Sequence, residues 1–285
     1  MPELPEVETI RCDLLEKILN TKIVQVDVVL DKIVKNKSSA FKKVIKNNQF
    51  TDISRRGKLL IFHLKDGNFL LTHLRMTGQL IYRHQNQLIA GGHSEKKSDL
   101  DVPNKYSHVI FTFQNGGQLF YNDLRQFGYL NIVNKKELDQ VIAKFGTELI
   151  DDNFTLPQFR KILKGRKRNI KAFLLDQNML AGIGNIYADE ILFASCVKPT
   201  RTIDQLTKKE VELIFKNIKS ILKLAVKHRG TTFNNYVDAN GNKGGFIKLL
   251  KVYNRGDQQC LNCKTTLQKI KVAGRGTCFC PQCQK

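Results

Sequence analysis

The sequence predicts an α+β protein: an N-terminal two-sheet antiparallel β-sandwich entered by a helix, then a helical region ending in a cysteine-rich β-hairpin. Three observations carry this. Between residues 22 and 133 apolar residues recur with a period of two, and Asp66-Gly67 and Asn115-Gly116-Gly117 separate consecutive runs as hairpin turns do. After residue 134 the period changes to about 3.6. Five of the seven cysteines fall within the last 26 residues.

The elements follow in chain order. From Pro5, the residues Val7, Ile10, Leu14 and Ile18 recur at helical spacing. Proline in the first turn and acids at Glu6 and Glu8 suit a helix start. Val24, Val26, Val28 and Leu30 alternate as a half-buried strand should. Leu59–Leu64 with Phe69–Leu74, and Val109–Phe113 with Gln118–Leu124, form the two hairpins. Residues 84–105 are polar and read as a long surface loop. Helices are expected around 135–145 and 155–164, with Thr155 as N-cap and Pro157 in the first turn. A long amphipathic helix presents Val211, Ile214, Phe215, Ile218, Ile221, Leu222 and Ala225 on one face. At 285 residues the chain has room for about two domains with their own cores. The segments are 1–134, 135–230, a loop and linker at 231–250, and the cysteine-rich hairpin at 251–285.

Lysine and arginine number 47 against 26 acids, a net charge of +21. Such an excess points to a polyanionic partner, either nucleic acid or an anionic membrane surface. No apolar run approaches the roughly 20 residues of a membrane span, and no signal-peptide pattern precedes the first helix. That helix is acidic where a membrane-surface helix would be basic. The expectation is a cytoplasmic, monomeric protein that binds nucleic acid. Cys12 and Cys196 stand alone and are expected to be inert buried thiols.

Chemistry is suggested at both ends. Removal of Met1, usual when proline follows, would leave Pro2 with a free secondary amine. An α-amino group titrates near 8, far below a lysine side chain, so more of it is nucleophilic at neutral pH. Glu3 and Glu6 lie close enough to exchange protons with it. At the other end, Cys260-x-x-Cys263 and Cys280-x-x-Cys283 are separated by sixteen residues. Two such knuckles predict a four-cysteine zinc site, structural because no ligand position is left for water. Cys278 is a rival for Cys280, but only Cys280 gives two equal knuckles. The intervening hairpin carries Lys264, Lys269, Lys271 and Arg275.

Four further motifs stand between the ends: Arg55-Arg56-Gly57-Lys58, His73-Leu74-Arg75-Met76-Thr77-Gly78, Asp123-Leu124-Arg125-Gln126-Phe127-Gly128, and Leu180-Ala181-Gly182-Ile183-Gly184-Asn185-Ile186-Tyr187-Ala188-Asp189-Glu190-Ile191. The last follows a basic stretch from Gly165 to Lys171 and opens onto a helix, where backbone N–H groups could cradle a phosphate. It lacks the third spaced glycine and the preceding strand of a dinucleotide site.

Taken with the opening string Met1-Pro2-Glu3-Leu4-Pro5-Glu6-Val7-Glu8-Thr9, these motifs resemble the formamidopyrimidine-DNA glycosylases, in that family's order and over the whole chain. The resemblance implies a repair enzyme acting on double-stranded DNA that contains oxidised purines or abasic sites. It implies a helix–two-turn–helix domain, one structural zinc, and Pro2 as nucleophile with Glu3 as its acid partner and Glu6 in support. Lys58 is implied in β-elimination and Arg275 in δ-elimination. Met76, Arg125 and Phe127 would fill the space of an extruded base, a wedge of the kind that kinks DNA. Tyr106, Arg166, Lys171 and Asn185 are further implied DNA contacts, the last two at phosphates. Gln126 stands where the family often has a second basic residue. The glycine- and asparagine-rich stretch 230–247 reads as a connector, or as the family's loop over the extruded base. Two other functions remain open: an endonuclease VIII-type enzyme for oxidised pyrimidines, and a non-catalytic zinc-hairpin DNA-binding protein.

Overall fold

The computed structural model describes residues 1–85, 87–92, 101–231 and 245–285. The chain divides into two compact units, residues 1–143 with 228–247, and residues 144–227 with 248–285. No helix among the described residues is long and apolar enough to cross a membrane.

The first unit holds two antiparallel sheets and an entering helix, as expected. Helix α1 (Leu4–Ile18) has Pro5 in its first turn and buries Leu4, Val7, Ile10, Leu14 and Ile18. Each such burial is worth about 1.5–3 kcal/mol. The four-stranded sheet runs β2 (Phe50–Arg56), β3 (Leu59–Leu64), β4 (Phe69–His73), β9 (Tyr129–Val133). The five-stranded sheet runs β1 (Ile23–Val28), β7 (Ser107–Phe113), β8 (Gln118–Asp123), β5 (Gly78–His84), β6 (Gln87–Gly92). Phe50 and Phe62 from the first sheet pack with Phe111 and Phe113 from the second, with Phe50 ring centroids 5.0 to 6.2 Å from the other three. Helix α2 (Ser38–Ile45) adds Phe41 to that cluster. Both expected hairpin turns form, with Gly67 at φ +86° and Gly116 at φ +82°, where a side chain would be strained. Helix α3 (Lys135–Ile142) closes the first stretch of this unit.

Three expectations are corrected. Strand β1 does not alternate from Val24: a bulge between Ile23 and Gln25 shifts its register, so Ile23 and Val26 are buried and Val24 is exposed. The span 84–105 is not simply a loop, because Gln87–Gly92 pairs with β5 as an edge strand. Its small residues concealed it, and they have a packing reason. Helix α1 lies against β6 as well as β2, and a Cβ at Gly91 would sit 2.2 Å from Ile10 Cγ1. Finally, Cys12 and Cys196 are exposed, not buried. Cys12 lies on the outer face of α1, and Cys196 follows a helix end at φ +58°.

The second unit contains β10 (Thr147–Glu148) and α4 (Leu156–Leu163), with Thr155 as N-cap and Pro157 in its first turn. Next come α5 (Ile170–Leu174), β11 (Leu180–Ala181), which pairs with β10, and α6 (Asn185–Ala194). Helix α7 (Lys208–Lys227) buries Ile214, Ile218, Leu222 and Ala225, the centre of its expected apolar face. Phe215 of this helix packs with Phe154 and Phe159. The hairpin of β12 (Gln268–Val272) and β13 (Arg275–Phe279) ends the unit, with β13 against α6.

Because Gly91 is what admits Ile10, Gly91→Ala should destabilise the first unit by about 1–3 kcal/mol through overpacking. Combining it with Ile10→Ala should cost less than the two single losses added together. Urea midpoints of the four chains measure both.

Candidate functional site

At the amino end, α1 is capped by its own acids. The Glu3 N–H donates to Glu6 Oε2 at 2.8 Å, and the Val7 N–H to the Glu3 carbonyl at 3.0 Å. The other oxygen of Glu6 accepts from Thr231 N at 2.7 Å and Thr231 Oγ1 at 3.0 Å. Gly230 precedes that contact at φ +79°, and a Cβ there would lie 2.6 Å from Glu6 Oε1. Pro2 and Glu3 are buried. Burial lowers the pKa of the Met1 amine below its ordinary 8.0; Glu3 and Glu6 pull it upward and the Lys58 ammonium downward. Lys58, only 5% exposed, follows Gly57 in the turn between β2 and β3. An amine biased toward its neutral form, two carboxylates and an ammonium thus act on one another. Such a group can add a nucleophile to an electrophilic carbon and move protons around it.

Met76, Arg125 and Phe127 come from two loops, 74–77 and 124–128. All three are exposed, Met76 at 39% and Phe127 at 54%. They are pre-assembled: Arg125 Nη1 donates to Met76 Sδ at 3.2 Å, and its guanidinium lies 4.6 Å from the Phe127 ring centroid. The fully buried carboxylate of Asp123 holds the two loops together. Its Oδ1 accepts from Thr77 Oγ1 at 2.5 Å and Arg125 N at 3.2 Å, and its Oδ2 from Gly128 N at 2.8 Å. Gly128 has no room for a side chain, since a Cβ would lie 1.9 Å from the Tyr121 hydroxyl. His73 Nδ1 accepts from Arg75 N at 3.0 Å, and burial, with the charges of Arg75 and Lys58, pushes its pKa down to about 3. It is therefore a neutral acceptor. Tyr106 is half-buried beside the same hub, its carbonyl accepting from Asp123 N at 3.1 Å.

In the second unit, Arg166 is exposed after Gly165, its Nε bonded to Ile162 O at 2.7 Å. Lys171 and Asn185 converge on the hairpin: Asn185 Nδ2 donates to Gly276 O at 2.8 Å, and Lys171 Nζ to Thr277 Oγ1 at 2.6 Å. Lys171 is fully buried and pairs with Asp189 Oδ1 at 2.6 Å. Burial raises Asp189 to about 6, against the pull of that ammonium. The neighbouring carboxylate of Glu190 accepts the amides of Lys251, Val252 and Tyr253 at 2.8 to 2.9 Å. Arg275 is exposed at the start of β13, after Gly274 at φ +74°. Lys264, Lys269 and Lys271 are exposed as well.

The sulfurs of Cys260, Cys263, Cys280 and Cys283 lie within 4.8 Å of one another, with Cys260–Cys283 at 3.9 Å and Cys263–Cys280 at 3.4 Å. A tetrahedral zinc with bonds of about 2.3 Å needs sulfurs about 3.8 Å apart, so the four fit that ion. Cys278 is not among them; its amide donates to Asp189 Oδ2 at 3.1 Å.

Sequence reasoning gave no role to Asp123, Asp189 or Glu190. An acid ending a strand or lying within a glycine-rich motif is a weak signal, and what distinguishes these is burial. Residues 232–244, the bulk of the stretch read as a connector or closing loop, lie outside the described residues.

Comparison with known proteins extends these observations. Residues 1–130 match the formamidopyrimidine-DNA glycosylase N-terminal domain, 145–236 the H2TH domain of the same proteins, and 257–285 a zinc finger found in FPG and IleRS. The chain is 40% identical to the formamidopyrimidine-DNA glycosylase of Pelotomaculum thermopropionicum, covering 100% of this chain and 99% of that one. It is also 40% identical to that of Mycoplasma genitalium, covering 100% and 96%. A solved complex of Lactococcus lactis Fpg with DNA containing an abasic site is similar at 34% identity and TM-score 0.88, covering 99% of each chain. Another, of wild-type Lactococcus lactis Fpg with DNA containing N7-benzyl-Fapy-dG, has 34% identity and TM-score 0.87, covering 100% of each. The zinc-finger match and the cysteine cluster together establish one structural zinc ion.

Two outcomes follow from this geometry. Chelating the zinc, or changing Cys263→Ser, should release one equivalent of metal and unfold the 251–285 hairpin, because metal binding and folding are one process there. Metal analysis and amide exchange of that segment read the two together. Asp123→Asn should cost about 1–3 kcal/mol, the penalty for leaving a buried donor poorly satisfied. Amide exchange should quicken at Arg125 and Gly128 first.

Proposed function

Because the chain belongs to the formamidopyrimidine-DNA glycosylase family of DNA-repair enzymes, we propose that it is a bifunctional glycosylase and abasic-site lyase for oxidised purines, 8-oxoguanine and formamidopyrimidines, in double-stranded DNA. The observation that carries this reading is the amino end itself. Pro2 and Glu3 are buried at the start of α1, and the amine one residue ahead, that of Met1, already lies under the influence of Glu3, Glu6 and Lys58. After removal of Met1, the amine of Pro2 takes that place.

The Pro2 nitrogen then bonds to C1′ of an extruded nucleotide as the bond to the damaged base breaks. Glu3 delivers a proton to the ring oxygen as the sugar opens, leaving an iminium that joins protein to DNA. Glu6 holds the amide of Glu3 and supports the proton traffic. Loss of a C2′ proton expels the 3′ phosphate, with Lys58 assisting. The second elimination expels the 5′ phosphate, with Arg275 assisting. Met76, Arg125 and Phe127 fill the vacated space, and their exposure and pre-assembly support that role. Tyr106 is a further DNA contact. Arg166, Lys171 and Asn185 serve the DNA backbone, and the bonds of Lys171 to Asp189 and Thr277 also fix the hairpin that carries Arg275. The protein acts as a monomer in the cytoplasm.

Borohydride tests this directly. Reduction should trap a protein–DNA crosslink on an 8-oxoguanine·cytosine duplex and on an abasic duplex, and much less on a thymine-glycol duplex. Acetylating the Pro2 amine should abolish it. A chain whose intact mass includes Met1 and which still cuts at full rate would overturn the proposal.

A further inference from the structure

We propose that Arg55 and Glu8 are positioning residues that fix Lys58 relative to the amine-bearing end of α1, and so govern the lyase chemistry without touching DNA. The inference rests on the roles of Pro2 and Lys58 given above. Glu8 projects from α1. Its Oε2 accepts from Arg55 Nε at 2.8 Å, and its Oε1 from Arg11 Nη2 at 2.6 Å. The other arm of Arg11 reaches Ile53 O on β2 at 3.2 Å. The other arm of Arg55 donates to Gly57 O at 2.8 Å. Gly57 stands at φ +55°, and its carbonyl belongs to the peptide group leading directly into Lys58. One planar guanidinium therefore grips the helix that carries the nucleophile and the peptide that carries the ammonium.

The pair is built to hold a direction. The Arg55 and Glu8 side chains are 5% and 12% exposed, so water screens them little. Burial acts to raise the Glu8 pKa, but the bonds from Arg11 and Arg55 bring it down to about 2, and the carboxylate stays charged throughout the working range. Cohesion has other sources. Helix α1 is held by its apolar stripe, and β2 by its ladder to β3. Buried ion pairs add little net stability, but their geometry is narrow. Arginine's planar fork presents its donors at fixed angles, whereas the three donors of a lysine ammonium turn on a single atom at the end of a flexible stem.

The test uses the full chain with Met1 removed and two measurements. One is the single-turnover rate of strand cleavage by β-elimination on an abasic duplex; the other is the Kd for an uncleavable duplex carrying a tetrahydrofuran site. Arg55→Ala should slow cleavage about 10- to 100-fold, the scale of a reacting group misplaced by about 1 Å. Its Kd should stay within about threefold of the parent, since the loss belongs to the chemical step. Arg55→Lys, which keeps the charge and loses the fixed fork, should fall between. In a Lys58→Ala background, Arg55→Ala should slow cleavage by less than about twofold, because residues acting through one group are not additive. Glu8→Gln, which keeps the shape, should slow cleavage at least about fivefold and replaces Arg55→Ala as the deciding variant if that chain does not fold. Cleavage within about twofold of the parent in the folded variants, a fall in affinity equal to the fall in rate, or full additivity with Lys58→Ala would each overturn the inference. Failure of borohydride to trap the parent chain on the abasic duplex would remove the Pro2 reading and this inference with it, whereas a trapped parent with unaffected variants removes this inference alone.

Discussion

The structure of the first unit depends on the burial of one helical stripe. A chain end is ordinarily where order is lost, because few contacts repay the entropy of fixing it. Here Leu4, Val7, Ile10, Leu14 and Ile18 are all buried, and Gly91 lets the helix approach β6 closely. The helix begins at residue 4, so fixing it also fixes the residues just ahead of it, including Pro2 and Glu3. Nothing at the amino end has to be held by its own contacts alone.

Around that helix, buried charge does what apolar packing cannot. Apolar contacts are non-directional, and they specify volume better than orientation. The turns that bear functional side chains are short and polar, and each is aimed by a carboxylate. Glu6 ties α1 to Thr231, Asp123 joins the loops of Met76 and Phe127, and Glu190 gathers three successive amides before the hairpin. The Lys171–Asp189 pair is the extreme case, with both groups removed from water. Such a pair contributes little net stability, yet losing one partner strands the other. Its value is geometric: Lys171 and Asp189 together set Thr277 and the amide of Cys278, on the strand that begins at Arg275.

This division explains what could be read in advance. Helix α1, both hairpins, the α7 face and the zinc knuckles were legible because each is a local pattern, settled by residues within a turn or a strand of one another. Strand β6 was not, since Ala90, Gly91 and Gly92 carry no period-two signal and Gly91 answers to the approach of a helix eighty residues earlier. The β1 bulge was missed for a related reason: alternation in Val24, Val26 and Val28 is identical whether or not one residue is skipped by the partner strand. The candidate site divides the same way. Pro2, Lys58, Met76, Arg125 and Phe127 could be named from motifs. Asp123 could not be given its role, because one of its partners, Thr77, lies 46 residues away and its importance comes from burial alone. Lys171 could be named but not placed, since its hairpin partners are more than a hundred residues distant.

The carboxyl end meets the problem of the amino end without a stripe to bury. Apart from cysteine, the buried apolar residues gathered around the knuckles are Phe193, Val252 and Leu267, and the first of these belongs to α6. So small a cluster cannot offset the backbone entropy of ordering a thirty-residue segment, about 1–2 kcal/mol for each residue fixed. Four thiolates on one zinc can, because the free energy of metal binding is delivered to folding. The metal still leaves the knuckles free to turn as a body. Orientation is supplied by α6, through Asp189 to Cys278 and Glu190 to the turn at residues 251–253 ahead of the hairpin, and by Gln284, which accepts from Cys280 N and donates to Val197 O. Zinc makes the hairpin exist, and buried carboxylates and an amide decide where Arg275 points.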